Sequence, residues 1–330
     1  MGSGGLEIDN LEESTLFTYF AWHPTMPGLM AITTATGKVI FVQINDGYTE
    51  ATALGTPALE HGTEIRRGYQ RIGVAERPII ECPMEAWFVA FSNLWDKSEE
   101  LSESSLLSTI FSGGDDSTLR FRTYSLAEKR DPDSRQNSNE DPDEDFDEDH
   151  SDSPVLFHDY DVKAVTGHSA GVTAILPLPL TMFDGSQVVL TGSYDDTLRI
   201  WAVTPPHKSS AGPETRILAE KNLGGGVWRL KVVEELSSVT GPGPWTAVVL
   251  ASCMHAGTRI IRIRGNVDRE QDLEVEVLAR FEEHKSMNYG SDYSRTEGTL
   301  LNKGGEREVV CVSTSFYDRL LCVWKFEAHV

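Results

Sequence analysis

Apolar and polar residues alternate over short stretches of this chain, and small or acidic residues separate the stretches. Alternation with a period of two predicts β-strands, whereas the spacing typical of amphipathic helices is weak throughout. Five segments share one order, in which an apolar strand, a turn and a second strand follow one another. They are MAITTATGKVIFVQI (30–44), STIFSGGDDSTLRFR (108–122), VVLTGSYDDTLRIWAV (188–203), VVLASCMHAGTRIIRI (248–263) and CVSTSFYDRLLCVWKF (311–326).

Further strands complete each unit. One strand precedes each segment, and others are predicted between units at 215–221 and 273–281. Four-stranded units that repeat along a chain are typical of β-propellers. The segment LEIDN (6–10) is the candidate for the outer strand of the last blade. We therefore predict an all-β propeller that forms a single domain over 1–330, with an acidic disordered insertion at 128–153 and blades at about 14–55, 80–127, 160–221, 222–281 and 282–330.

The third unit has the strongest repeat signature. A Gly-His pair ending in His168 precedes its first strand, Asp195 lies in its central turn, and Trp201 closes its third strand. This pattern is that of a WD40 repeat, in which the histidine, the aspartate and the tryptophan form a hydrogen-bonded staple within one blade. We therefore expect these three residues to be structural, and the same holds for Asp116 and Asp318, which align with Asp195.

Charge and composition narrow the kinds of partner. The 330 residues carry a formal net charge of −22, and about ten of these charges lie between 131 and 152. Such a charge disfavours nucleic acids and anionic membranes. No apolar run reaches the roughly 18 residues that span a bilayer, and the N-terminus lacks the apolar core of a signal peptide, so we expect a cytoplasmic protein. The four cysteines show no paired spacing, and we expect buried thiols, with neither a metal nor a cofactor.

Three pairs of motifs carry a more specific resemblance. EAWFVAF with SGGDDSTLRFR, GGGVWRLKV with ASCMHAGTRI, and HKSMNYGSDYS with STSFYDRLLCVW follow one another along the chain. In that order they resemble three successive blades of the diphthine methyl esterase family, WD40 proteins that also carry the name diphthine methyltransferase. The resemblance runs from about Trp22 to Phe326. Because family members have seven blades, it implies that five of seven expected blades are present and that two N-terminal blades are missing.

The resemblance also implies a function. The family hydrolyses the methyl ester of diphthine methyl ester, a modified histidine of translation elongation factor 2, and the freed carboxylate is then amidated to diphthamide. Elongation factor 2 is therefore the implied partner, and we expect a monomer. The alternative is a non-catalytic WD40 scaffold, because most WD40 propellers bind proteins and catalyse nothing. A metal hydrolase has little support, since no paired-histidine metal motif occurs.

Candidate catalytic residues come from positions that break the repeat. The chain has no G-x-S-x-G motif, which leaves water attack assisted by a histidine or carboxylate, or a nucleophile in an unusual setting. His255 stands where the third unit has Asp195, so it is a candidate general base or the mark of a decayed staple. His284 and His168 are alternative bases, and the staple is expected to occupy the second of them. Arg229 is a candidate contact to a product carboxylate or an oxyanion, or a solvated rim charge.

The quaternary ammonium that the resemblance implies for diphthine suggests a second set of residues. Aromatic faces bind such cations by up to about 2 kcal/mol each when desolvated, and nearby carboxylates reinforce them. Trp87 and Trp228 occupy equivalent positions at the start of their innermost strands, where packing between blades is the alternative role. The candidate substrate-binding residues are Glu85, Trp87, Trp228, Tyr289, Asp292 and Tyr317.

Overall fold

The structure, a computed structural model, describes residues 8–9, 15–44, 51–54, 78–94, 96–97, 106–126, 155–157, 162–205, 215–237, 243–294 and 307–328. Its strands form five sheets, and these are five blades of a β-propeller, which confirms the predicted fold. The predicted acidic insertion at 128–153 lies outside the described ranges. Within those ranges no helix is long and apolar enough to cross a membrane.

Blades 3, 4 and 5 follow the chain order, with each strand antiparallel to the next. Blade 3 contains β13 (Val172–Thr181), β14 (Gln187–Ser193), β15 (Thr197–Val203) and β16 (Arg216–Asn222). Blade 4 contains β17 (Arg229–Ser237), β18 (Pro244–Ser252), β19 (Thr258–Asn266) and β20 (Arg269–Phe281). Blade 5 contains β21 (Asn288–Ser294), β22 (Arg307–Ser315) and β23 (Leu321–Ala328).

Blades 1 and 2 have more strands, several of them short. Blade 1 contains β1 (Ile8–Asp9), β2 (Phe17–Trp22), β3 (Leu29–Thr34), β4 (Lys38–Ile44), β5 (Ala51–Leu54) and β6 (Ile80–Glu81). Blade 2 contains β7 (Ala86–Phe91), β8 (Asp96–Lys97), β9 (Leu106–Gly114), β10 (Thr118–Leu126), β11 (Val155–Phe157) and β12 (Lys163–Thr166).

Two strands lie in a different blade from the one that the predicted boundaries give them. β6 pairs with β4 in blade 1, although 80–81 was assigned by sequence to the second blade. β12 pairs with β10 in blade 2, although 163–166 was assigned to the third. In blades 1 and 2 the third strand has an open edge of backbone N–H and C=O groups, and the chain pairs with that edge on its way into the next blade.

The N-terminal segment also differs from expectation. Ile8 and Asp9 pair in parallel with Ala51 and Thr52 of β5, so this part of LEIDN joins blade 1 and not the last blade. Among the described strands, β23 pairs only with β22. The described part of blade 5 therefore has three strands.

Apolar cores fill the spaces between neighbouring blades. Each of four clusters combines side chains from two consecutive blades, as shown by Phe41 with Val89, Phe111 with Trp201, Leu190 with Trp245, and Leu250 with Phe326. The first strands of successive blades contact one another in turn: β2 with β7, β7 with β13, β13 with β17, and β17 with β21. Side chains at the start of these strands therefore converge on one face of the propeller.

A staple of buried polar side chains holds blade 3 together. The Nδ1–H of His168 donates to the Asp195 carboxylate at 3.0 Å. Both His168 Nε2 and Trp201 Nε1 reach the hydroxyl oxygen of Thr191, each at 2.7 Å. The hydroxyl of Thr191, which the sequence analysis did not single out, is therefore the link between the histidine and the tryptophan.

Blade 5 contains a second staple with one additional hydroxyl group. His284 Nε2 and Trp324 Nε1 both reach Ser313 Oγ, at 2.8 and 3.2 Å. On the other side of the ring, His284 Nδ1 lies 2.9 Å from Ser315 Oγ, which donates to the Asp318 carboxylate. His284 is thus part of a structural network, as His168 is in blade 3.

Candidate functional site

Four aromatic rings from four blades meet on one face of the propeller. We call this the upper face; it carries the loops that enter the first strands and the turns that join the second and third strands. Trp87, Tyr194, Trp228 and Tyr289 come from blades 2, 3, 4 and 5, and we call them the aromatic platform. Their ring centroids are 6.0 Å apart for Trp87–Tyr194, 5.7 Å for Trp87–Trp228, 5.7 Å for Tyr194–Trp228 and 5.2 Å for Trp228–Tyr289.

The platform rings pack against one another. Their planes meet at angles from 49° to 88°, which is the edge-to-face geometry that aromatic rings favour. The rings therefore form a continuous surface on which a cation can lie, and they do not form an open aromatic cage that would enclose it. The indole Nε1 of Trp87 is buried and has no hydrogen-bond partner among the described residues.

Arg229 lies beside the platform, between rings of three blades. Its guanidinium carbon is 4.9 Å from the ring centroids of Tyr19 and Trp228 and 5.3 Å from that of Phe88. Its Nη1 donates to the carbonyl oxygens of Thr173 and Trp228, at 3.2 and 2.8 Å. No described carboxylate forms an ion pair with it, and burial lowers the pKa of this arginine. A mostly enclosed cation without a counter-ion suits an anionic or partly negative ligand group.

Two carboxylates approach the platform from blade 2. Glu85 and Asp115 are both exposed, and the backbone N–H of Asp115 donates to the Glu85 carbonyl oxygen at 3.0 Å. Burial is the main cause that raises the pKa of the Tyr194 hydroxyl, and the charges of Asp115 and Glu85 act in the same direction. Both carboxylates therefore act on the platform electrostatically.

Asp292 does not supply a free negative charge to the platform. Its carboxylate forms an ion pair with Lys231 Nζ on the neighbouring first strand. Partial burial works in the opposite direction, but the hydrogen bond from Lys231 holds the pKa of Asp292 below its usual value. The sequence analysis expects Asp292 to supply negative charge together with Glu85, and the structure places its carboxylate in an exposed ion pair with Lys231.

His255 occupies the turn between β18 and β19. The pairing of Ser252 with Thr258 repeats that of Gly192 with Leu198, so His255 takes the place that Asp195 has in blade 3. Its side chain is exposed, and no described residue forms a hydrogen bond with its ring. Blade 4 therefore presents a free imidazole on the upper face, where blade 3 presents a staple.

The motifs GGGVWR and SCMH meet in space because their backbones approach closely. A Cβ atom at Gly225 would lie 2.4 Å from the Cys253 carbonyl oxygen, and one at Gly226 would lie 2.4 Å from Met254 Sδ. At Gly225, where the neighbouring atom belongs to the backbone, only glycine allows this contact. The loop that leads into Trp228 therefore packs directly on the turn that carries His255.

The structure separates the other candidate residues into two groups. Tyr317 is 70% exposed and touches Phe316, whose ring is 5.2 Å away, while Phe316 is 6.4 Å from Tyr289. Tyr317 therefore connects to the platform only through Phe316 among the ring contacts of the described chain. His168 and His284 are held in staples, and burial lowers the pKa of both rings. Neither presents a free imidazole.

Sequence reasoning missed Tyr194 and Phe316. Both are aromatic residues in turns that otherwise contain small and acidic residues, and this departure from turn chemistry was a signal in the sequence. It also missed Tyr19 and Phe88, which enclose Arg229. Those two lie in strands whose aromatic residues resemble ordinary core positions.

The blades and their repeats define the class of protein. A family model for the WD domain, G-beta repeat, matches residues 160–202, which include the staple of His168, Asp195 and Trp201. With its five blades, the chain is a β-propeller protein, and one of its blades matches the WD domain, G-beta repeat.

Two curated proteins show which WD40 proteins it is similar to. A protein named diphthine methyltransferase from Schizosaccharomyces pombe is 29% identical over 159 residues, which are 48% of this chain and 38% of that protein. One of the same name from Mus musculus is 30% identical over 131 residues, 38% of this chain and 22% of that protein. The chain thus matches less than half the length of each relative. These similarities confirm the predicted resemblance to WD40 proteins of diphthamide biosynthesis.

Proposed function

We propose that this protein hydrolyses the methyl ester of diphthine methyl ester on translation elongation factor 2. The observation that carries the proposal is the aromatic platform beside Arg229, a cation that has no ion-pair partner among the described residues. Diphthine combines a quaternary ammonium with a carboxyl group, and this pair of surfaces complements both. The names of the curated relatives support diphthine as the chemical context.

The proposed reaction needs one water molecule and no further reactant. The ammonium lies on the platform rings, which stabilise it by cation–π attraction, with Glu85 and Asp115 adding negative charge. The exposed ring of His255 takes a proton from water as the oxygen attacks the ester carbon. Arg229 stabilises the negative charge that develops on the carbonyl oxygen. The ester C–O bond breaks, His255 returns its proton to the departing methoxide so that methanol leaves, and the carboxylic acid formed ionises to a carboxylate that amidation can consume.

The decisive experiment follows the loss of one methyl group from methylated-diphthine elongation factor 2 by intact mass. Wild-type protein should release the methyl group, and His255→Asn should slow release by about a hundredfold or more, as expected for loss of a general base. Phe183→Ala is the matched control, because Phe183 is 84% exposed in the β13–β14 turn at the opposite face. An unchanged mass with wild-type protein would reject the hydrolase.

A non-catalytic scaffold is the second candidate. The observation in its favour is that His255 has no partner among the described residues to orient its ring, whereas general bases are ordinarily held by a third group. A scaffold would bind elongation factor 2 without changing its mass, and His255→Asn would leave that binding unaffected. Comparing the wild-type protein with His255→Asn therefore distinguishes the hydrolase from the non-catalytic scaffold.

A further inference from the structure

Two adjacent aromatic residues are exposed in the turn between β22 and β23. Phe316 is 69% exposed and Tyr317 is 70% exposed, and their rings meet edge to face at 5.2 Å. Leu320 and Leu321 extend the apolar surface, with exposures of 37% and 63%. Single exposed apolar residues are ordinary, but a contiguous group of this kind marks an interaction surface. We call Phe316, Tyr317, Leu320 and Leu321 the blade 5 patch.

The blade 5 patch is continuous with the aromatic platform. Phe316 lies 6.4 Å from Tyr289, and Tyr289 lies 5.2 Å from Trp228. The rings thus form an unbroken path from Trp87 in blade 2 to Tyr317 at the edge of blade 5. A ligand group on the platform and a chain leaving it can contact the same aromatic surface.

The turn that carries the patch is held in place by hydrogen bonds. Ser286 Oγ accepts from the backbone N–H groups of Tyr317 and Asp318, at 3.1 and 3.3 Å. The Asp318 carboxylate accepts from the Lys285 N–H at 2.9 Å, and Phe316 N–H donates to the Met287 carbonyl oxygen at 3.2 Å. The exposed rings are therefore preorganised, which reduces the entropy lost when a partner binds.

We infer that the blade 5 patch binds the polypeptide of elongation factor 2 next to the modified histidine. The inference rests on the proposed function. A side chain bound on the platform belongs to a longer polypeptide, and this polypeptide must extend away from the platform across the surface of the propeller. On the blade 2 side, the exposed carboxylates of Glu85 and Asp115 border the platform. Towards blade 5 the aromatic rings continue to Phe316 and Tyr317, so an extended segment leaves in that direction and covers these two rings.

Direct binding tests this inference without requiring turnover. Immobilised elongation factor 2 bearing methylated diphthine should bind wild-type protein, and the double variant Phe316→Ala, Tyr317→Ala should bind about tenfold more weakly or worse, as for aromatic hot spots. Phe183→Ala should bind like wild type. A short peptide that ends at the modified histidine cannot reach the patch, so its affinity should be equal for wild type and the double variant.

Each outcome has one meaning. Equal binding of elongation factor 2 by wild type and the double variant, or no binding by wild type, overturns the inference. A loss of affinity for the short peptide as well would also overturn it, because the substitution would then act through the platform. Binding that depends on the patch, with no loss of methyl, would keep the patch and reject the proposed hydrolysis.

Discussion

The guanidinium carbon of Arg229 lies 4.9 Å from the centre of the Tyr19 ring, although the two residues belong to the fourth and the first blades. Tyr19 in turn stacks on Phe88 of blade 2 at 4.2 Å, and Thr173 of blade 3 accepts a hydrogen bond from Arg229. One side chain therefore contacts the first strands of three other blades. An arginine in this place contributes a charge without an ion-pair partner among the described residues, and this favours a role in binding over one in stability.

Arg229→Met should separate these two roles. The substitution keeps the length of the side chain and removes its charge, so we expect the melting temperature to stay the same or rise. Affinity for the carboxylate product should fall about tenfold or more, because a charge-assisted pair is lost. Product titration and thermal melting measure the two effects, with Arg229→Lys as the control that keeps the charge. A lower melting temperature with unchanged affinity would assign Arg229 to structure.

Thr191→Val should destabilise the protein by about 3 kcal/mol. The change removes the hydroxyl that pairs with both His168 and Trp201, and each buried partner then lacks a hydrogen bond. Thr191→Ser keeps the hydroxyl and should cost much less. Urea unfolding of the two variants measures the difference. A larger loss in Thr191→Ser than in Thr191→Val would mean that the methyl group, and not the hydroxyl, carries the effect.

These contacts show which features of the fold and the candidate site could be predicted from the sequence. The strands were predictable because their alternation is regular, and Trp87 and Trp228 were predictable because they hold equivalent positions in two repeats. The contacts of Arg229 were not, since they join blades that only the packing of the first strands against one another brings together. Thr191 escaped notice because a threonine in a strand is common, and only its two buried partners reveal its role.

The predicted blade boundaries differ from the observed ones because a strand at the start of one sequence repeat can pair with the sheet of the preceding blade. The boundary of a sequence repeat is set by the start of its motif. The boundary of a blade is set by hydrogen bonding, because a blade includes every strand that pairs with its sheet. The sequence boundary at residue 160 therefore gives β12 to blade 3, whereas its hydrogen bonds give it to blade 2. The ion pair between Asp292 and Lys231 could not be predicted from the sequence either. The two residues are about sixty positions apart and lie on different blades.

Acid should destabilise the protein between pH 6.5 and about 4. Burial lowers the pKa of His168 and of His23 from 6.5 to about 4, so the folded protein takes up these protons less readily than the unfolded chain. Stability is then complete above pH 6.5 and falls as the pH approaches 4, because the unfolded state binds more protons in that window. Asp195, with a pKa lowered to about 2, adds a loss only below its ordinary value of 3.8.

Urea midpoints measured across this window test the acid response. The midpoint should decline steadily as the pH falls, and His23→Gln should reduce the slope because one of the buried histidines that take up a proton on unfolding has been removed. A flat profile between pH 6.5 and 4 would show that neither histidine is held in its neutral form.

Tyr194→Leu should weaken recognition of the quaternary ammonium specifically. Tyr194 contacts both platform tryptophans, and its loss removes one aromatic face worth about 1–2 kcal/mol to a desolvated cation. Two short peptides measure this effect, one with the trimethylammonium and one with an uncharged isostere. Wild type should prefer the charged peptide, and the preference should shrink about tenfold in Tyr194→Leu while Phe183→Ala retains it. If both peptides lose affinity equally, Tyr194 serves the packing of Trp87 and Trp228, and the cation is recognised elsewhere.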